Sequence, residues 1–325
     1  MATGGQIDLA WDLVNVGAVT LEDANKYPYY ISIVVCQDKI IAIDYNTDKV
    51  LIHRLHDGKF LATSHKLESM PRDLCLMDAM EICVIHGDGL IQMMSIDSTD
   101  MSRVLKTTWT LRLQGVLDKY HGVVRFKDNL VVSGVKQGTM YWCIVSLDKG
   151  HVGTIHQICK GYSESSLTTK DNIIYFSCDA GVKFPDNTGV YAFDIFNPSQ
   201  CKYTYKHQRL QDPTSIVINE DGNIYVCNFG YLDSCIHQLT ASCQLVAIFT
   251  QGIQWGLWAM FWNDGCLYVT CYESRDLTAF HPVHQVESHK SSEVLKRHES
   301  KQPISEETSV QIGQGNVNTS YVYFI

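Results

Sequence analysis

The strongest constraint on this chain is an internal repeat. Its clearest copy, residues 212–227, is an Asp-Pro turn, an apolar run Ile216-Val217-Ile218, a tight Asp221-Gly222 turn, and a second apolar run Ile224-Tyr225-Val226-Cys227. Short β-prone runs bounded by Pro, Gly and Asp read as strands. The same frame returns at residues 30–43, 71–85, 118–132, 166–176 and 259–269. With Ile40, Ile82, Leu130, Ile174, Ile224 and Leu267 as anchors of the second runs, the intervals are 42, 48, 44, 50 and 43 residues. Six copies of that length, each with room for four short strands, predict an all-β, six-bladed β-propeller. A β-sandwich carries no motif at a near-constant interval. Third strands are expected at residues 50–55, 90–96, 140–147, 190–195, 234–239 and 276–280, and fourth strands at 60–64, 153–159 and 244–249.

The sixth copy runs out near Val283 without a fourth strand, while residues 13–21 stand before the first copy as an orphan strand. This N-terminal strand is expected to supply the missing outer strand and close the ring, because an open seam leaves edges and apolar faces uncovered. The blades then fall near residues 30–66, 71–112, 118–160, 163–208, 212–250 and 255–283. Together with the closing strand they make a propeller of residues 13–283, after a lead of residues 1–12. Composition changes after Pro282. Residues 284–325 are dominated by polar and charged side chains and are expected to form a flexible polar tail.

Charge and cysteine placement bound the setting. The 325 residues carry 26 Lys+Arg against 35 Asp+Glu, a formal charge of −9. Such a chain has no overall attraction to DNA or to an anionic membrane. No 18-residue apolar stretch is present to cross a bilayer. The twelve cysteines form no Cys-x-x-Cys pair, and most stand in or beside apolar runs, where a thiol acts as a small buried hydrophobe. The first residues lack the basic-then-apolar pattern of a secretion signal. A reduced, cytoplasmic protein is the expectation.

The pattern Asp212-Pro213, Ile216, Asp221-Gly222-Asn223-Ile224-Tyr225-Val226-Cys227 resembles an NHL repeat, with the other five copies as degenerate forms. The chain as a whole resembles the C-terminal propeller of tripartite-motif (TRIM) NHL proteins. The likeness covers about residues 13–283 and rests mostly on period and copy number. The RING and B-box Cys/His clusters and the long heptad segment of that family have no counterpart in this sequence. The resemblance therefore implies a monomeric recognition end of a ubiquitin pathway, without ligase activity of its own.

Three functional readings follow from the residues. The starts of first strands and the loops between second and third strands face the axis, and they offer Arg72, Asp73, Tyr120, His121, Ser163, Glu164, Asp212, Gln254 and Trp255. Few of these are good calcium or zinc donors, and Arg72 opposes a cation. No His-Glu-x-x-His, Gly-x-Ser-x-Gly or phosphate-loop motif occurs. No metal, cofactor or catalytic residue is therefore expected, and a metal-dependent hydrolase or lyase at the axis ranks third. Single-stranded RNA binding ranks second. It needs clustered cations and stacking aromatics, which Arg72, Lys119, Tyr120, His121, Lys136, Lys183, Phe184, Tyr231, Tyr272 and Arg275 supply, but carboxylates from Asp73 to Glu273 alternate with them. The favoured reading is a non-catalytic platform that binds a protein or peptide through its loop-rich face. Its candidate contacts are Arg72, Tyr120, His121, Lys183, Phe184, Phe229, Tyr231, Trp255, Tyr272 and Arg275, with residues 178–189 as the longest loop. The competing reading of Trp255, Trp258 and Trp262 is packing between blades, favoured for Trp258.

Overall fold

The computed structural model describes residues 11–20, 29–36, 39–56, 59–96, 105–161, 165–181, 183–230, 234–250, 253, 256–272, 274 and 276–284. Their strands form six antiparallel four-stranded sheets arranged as the blades of a propeller. Blade 1 is β2 (Tyr30–Cys36), β3 (Lys39–Asp44), β4 (Lys49–His56) and β5 (Lys59–Lys66). Blade 2 is β6 (Pro71–Asp78), β7 (Glu81–His86), β8 (Leu90–Ile96) and β9 (Leu105–Arg112). Blade 3 is β10 (Lys119–Phe126), β11 (Asn129–Lys136), β12 (Thr139–Ser146) and β13 (His156–Lys160). Blade 4 is β14 (Ser165–Lys170), β15 (Ile173–Cys178), β16 (Gly189–Asp194) and β17 (Asn197–Tyr205). Blade 5 is β18 (Pro213–Ile218), β19 (Ile224–Asn228), β20 (Cys235–Leu239) and β21 (Leu245–Phe249). Blade 6 takes β22 (Leu257–Asn263), β23 (Cys266–Cys271) and β24 (Asp276–His284) from the end of the propeller and β1 (Trp11–Thr20) from its beginning. The expected N-terminal closure is thus present, with β1 antiparallel to β24 from Trp11↔His284 to Thr20↔Asp276.

The second strand of every blade is buried on both faces, which is why these strands read as continuous apolar runs rather than alternating ones. Ile40 is 1% exposed, and Ile82, Leu130, Ile174, Ile224 and Leu267 are fully buried. The core is a ring of layers between neighbouring blades. Blades 2 and 3 share a cluster around Cys83, Ile85, Leu130 and Val132. Blades 6 and 1 share one around Tyr30, Ile40, Ala259 and Leu277. First and second strands join through two-residue turns at Lys127-Asp128, Asp171-Asn172 and Asp264-Gly265. Lys127, Asp171 and Asp264 there take φ of 55°, 55° and 48°, the left-handed conformation that tight hairpins require.

The first strands turn their unpaired edges toward the axis, and side chains of one blade satisfy amides of the next. Ser32 Oγ accepts the Leu74 N–H at 3.2 Å, and Asp73 Oδ2 accepts the Val123 N–H at 2.9 Å. Ser166 Oγ accepts the Ile216 N–H at 3.4 Å, and Ser215 Oγ accepts the Met260 N–H at 3.1 Å. Gly122 and Ala259 hold the equivalent places in blades 3 and 6. Threonines bridge those two junctions instead. Thr169 Oγ1 donates to the Arg125 carbonyl at 3.3 Å. Thr270 Oγ1 accepts the Ala259 N–H at 3.1 Å and donates to the Tyr30 carbonyl at 3.2 Å, joining blade 6 to blade 1.

Closure through β1 makes a direct prediction. A chain lacking residues 1–20 exposes β24 as a bare edge and should unfold with a urea midpoint lowered by about 1 M or more. An unchanged midpoint would contradict the closure.

Candidate functional site

In each blade the first strand runs away from one face and the second returns to it. First-strand starts and second-to-third loops therefore share that face. The backbone there repeats. The N–H of the residue after the second strand bonds back to the carbonyl preceding the first: Tyr45 to Tyr29 at 2.9 Å, Gly87 to Met70 at 3.0 Å, Phe229 to Asp212 at 2.8 Å and Tyr272 to Gly256 at 2.6 Å. These four residues are equivalent positions in blades 1, 2, 5 and 6, and three of them are aromatic. Asp44 reinforces this geometry in blade 1, its Oδ1 accepting the Tyr29 N–H at 3.1 Å.

The equivalence assembles an aromatic crescent. Tyr29 meets Tyr45, Trp258 and Tyr272 edge-on at 5.7, 4.7 and 5.0 Å between ring centroids. Phe229 meets Trp258 and Tyr272 at 5.3 and 6.0 Å. Edge-to-face packing of this kind satisfies the ring quadrupoles. All five rings are half-buried. In blade 2 the equivalent residue is Gly87, and a side chain there would meet Arg72 Nε at 3.2 Å. The missing side chain leaves room for the guanidinium, whose Cζ lies 5.0 Å from the Tyr45 ring centroid in a cation–π contact.

The crescent borders the axial channel, a cavity of about 280 Å³ lined by all six first strands. Five of these strands carry a register shift near their start, at Ile31, Arg72, His121, Thr214 and Trp258-Ala259. A bulge re-aims a side chain, and the residues at all five shifts line the channel. Asp73 follows the blade 2 bulge. Its Oδ1 accepts the Ser32 hydroxyl at 2.6 Å and the Leu74 N–H at 2.9 Å, and its Oδ2 accepts the Val123 N–H. Burial nevertheless wins over these three bonds and lifts its pKa from 3.8 to about 6. His121 is 8% exposed. Burial first, then the charges of Arg72 and Lys119, push its pKa down to about 4.

The structure therefore gathers Arg72, His121, Phe229 and Tyr272 around one mouth. Tyr120 is a correction: it is 1% exposed and presents no surface. Its hydroxyl donates to the Leu113 carbonyl at 2.5 Å and accepts the Leu117 N–H at 3.2 Å. Gly89, at φ +84°, lies so close that a Cβ would fall 2.5 Å from the Tyr120 ring. Lys183 is exposed and Phe184 half-buried, in a blade 4 loop built on a 3-10 turn at Pro185–Asn187. Tyr231, Trp255 and Arg275 lie outside the described residues, as does the tail from residue 285. The sequence reading missed Tyr29 and Tyr45 of the crescent and Ser32, Ser166 and Ser215 of the channel. It favoured packing for Trp258, whereas that ring also lines the channel. Trp262 does pack between blades, stacked on Tyr225 at 5.2 Å. Among the described residues no group of three or more His, Cys, Asp or Glu side chains is placed to hold a metal ion.

The class of protein is a six-bladed β-propeller. No family model matches the chain, and no curated protein matches it in sequence. Solved structures match it in fold. A Bacteroides thetaiotaomicron protein of unknown function is 13% identical over 84% of this chain and 76% of its own, with a TM-score of 0.60. Virginiamycin B lyase from Staphylococcus aureus is 11% identical over 84% and 99%, with a TM-score of 0.55. A chain from a nidogen/laminin complex is 13% identical over 72% and 84%, with a TM-score of 0.55. These neighbours include an enzyme and a member of a protein complex, so the fold alone selects neither activity.

Two predictions follow. Tyr120→Phe leaves a buried carbonyl and a buried amide without a partner and should cost about 1–3 kcal/mol in urea unfolding; no loss would contradict the bridging role. Asp73 has a raised folded-state pKa, so its stabilising contribution is full below its ordinary value of 3.8 and is lost as pH rises through about 6. Asp73→Asn should therefore gain stability relative to the parent between about pH 4 and about pH 7. A difference that stays constant across that window would contradict a desolvated carboxylate.

Proposed function

We propose that this protein is a non-catalytic recognition propeller that binds an extended segment of a protein partner across the aromatic crescent. The carrying observation is the crescent itself, Tyr29, Tyr45, Phe229, Trp258 and Tyr272, five half-buried rings with Arg72 stacked at one end. Aromatic and arginine side chains on a rigid scaffold are the residue types that dominate binding energy at protein interfaces. The occurrence of a related fold in a nidogen/laminin complex supports a protein partner.

Cations on this face favour a protein over single-stranded RNA as the occupant. Arg112 pairs with Asp88 at 2.6 Å, and Lys136 Nζ donates to the Val116 carbonyl at 3.1 Å. Such internally engaged cations do not form the continuous positive track that a phosphate backbone needs. The saturated Asp73 supports a non-catalytic reading of the axis. The NHL-like unit at residues 212–227 supports placing the chain among NHL-type propellers, as the recognition end of a TRIM-like ubiquitin pathway. The placement of most of the chain's cysteines inside the apolar core suits a reducing cytoplasm.

The test is comparative capture with cross-linking. The double variant Phe229→Ala, Tyr272→Ala should recover its protein partner at least about tenfold less than the parent. Phe196→Ala serves as the control, since Phe196 is 76% exposed in a third-to-fourth strand turn on the opposite face. Equal recovery by the double variant would remove the crescent from the binding site.

A further inference from the structure

We propose that the axial channel is a binding site for a small oxyanion, a carboxylate or phosphate group, received by His121 and by the hydroxyls of Ser166, Thr168 and Ser215 beneath Arg72. This goes beyond the partner reading and stands without it.

The first observation is His121. It lines the cavity, is 8% exposed, and among the described residues neither of its ring nitrogens has a hydrogen-bond partner. A buried imidazole left in that state is costly, so such a group calls for an explanation. It faces the channel, where the bulge in β10 places it. A neutral ring offers one N–H and one lone pair.

The second observation is the imbalance between donors and acceptors among the lining side chains. Ser166 and Ser215 each accept an amide from the next blade. Among the described residues neither hydroxyl donates to a protein atom, and Thr168 makes no side-chain hydrogen bond. Asp73 is the one carboxylate in the lining among the described residues, and three donors already occupy its two oxygens. Among the described residues a cation entering this space meets no available carboxylate, and an anion meets three hydroxyls and an imidazole. Arg72 stands in the lining nearest the mouth, and Arg125 farther along β10. The cavity volume of about 280 Å³ admits a small molecule, not a folded element.

Among the described residues the charged and titratable groups that bear on His121 and the channel are Arg72, Asp73, Lys119 and Arg125. Asp73 supplies the negative charge among them and becomes neutral as pH falls through about 6. Oxyanion affinity should therefore rise as pH falls. By linkage a bound anion should raise the pKa of His121.

The experiment titrates the full chain with inorganic phosphate, acetate and succinate and follows the His121 imidazole by NMR and the heat of binding by calorimetry. At least one probe should give a saturable His121 shift, with binding about threefold tighter near pH 5.5 than near pH 7.5 and a His121 pKa raised by about one unit at saturation. His121→Phe keeps a planar ring in the wall and should weaken binding at least about tenfold. Thr168→Val preserves shape and should weaken it about threefold. Absence of a saturable response to all three probes at millimolar concentration would overturn the proposal. So would unchanged affinity in both variants.

Discussion

Everything in this molecule depends on how the innermost strands satisfy the edges they turn toward the axis. An outer strand meets solvent, but an inner one meets five others across a narrow space. Its amides must find partners there. Short side chains from the preceding blade supply them at four junctions, through Ser32, Asp73, Ser166 and Ser215. Where glycine and alanine intervene, two threonines join the blades instead by donating to carbonyls. These bonds hold the blades in register around the ring, while the apolar layers between blades supply most of the burial. The same bonds explain the channel. A staple has to be short and polar, so the wall it leaves is narrow, rich in hydroxyls and poor in free carboxylates.

The mouth follows from the repeat in the same way. A backbone bond repeated in blades 1, 2, 5 and 6 places one residue of each at the rim. Aromatic residues at that place in blades 5, 6 and 1 meet because those blades are neighbours in the closed ring. Tyr45 and Phe229 are far apart in sequence and belong to one surface because blade 6 packs against blade 1 in the ring. The glycine at the same place in blade 2 matters equally, since it leaves space for Arg72 over Tyr45. Recognition chemistry here is thus a pattern of single residues on a repeated backbone.

The fold was legible because second strands buried on both faces leave apolar runs at a steady interval, and because an orphan strand at one end matches a missing strand at the other. The rim was half legible. Phe229 and Tyr272 stand one residue past clear second strands, Asn228 and Cys271 being the last strand residues. Counting one residue past Asp44 would have found Tyr45 by the same signal. Tyr120 misled because its rank near a first-strand start looks like a loop, while the close approach of Gly89 and the Leu113 carbonyl that bury it come from elsewhere in the chain. The channel serines were not legible. A lone serine in a strand reads as solvent-facing, and its actual partner is an amide 42 to 50 residues away.

The most direct measurement is native-state hydrogen exchange at the stapled amides of Leu74, Val123, Ile216 and Met260. If the staples tie the blades into one ring, these four should exchange with about the same opening free energy as the amides of the buried second strands, near the global stability. Exchange at rates typical of exposed turns, or four widely different opening energies, would contradict the account.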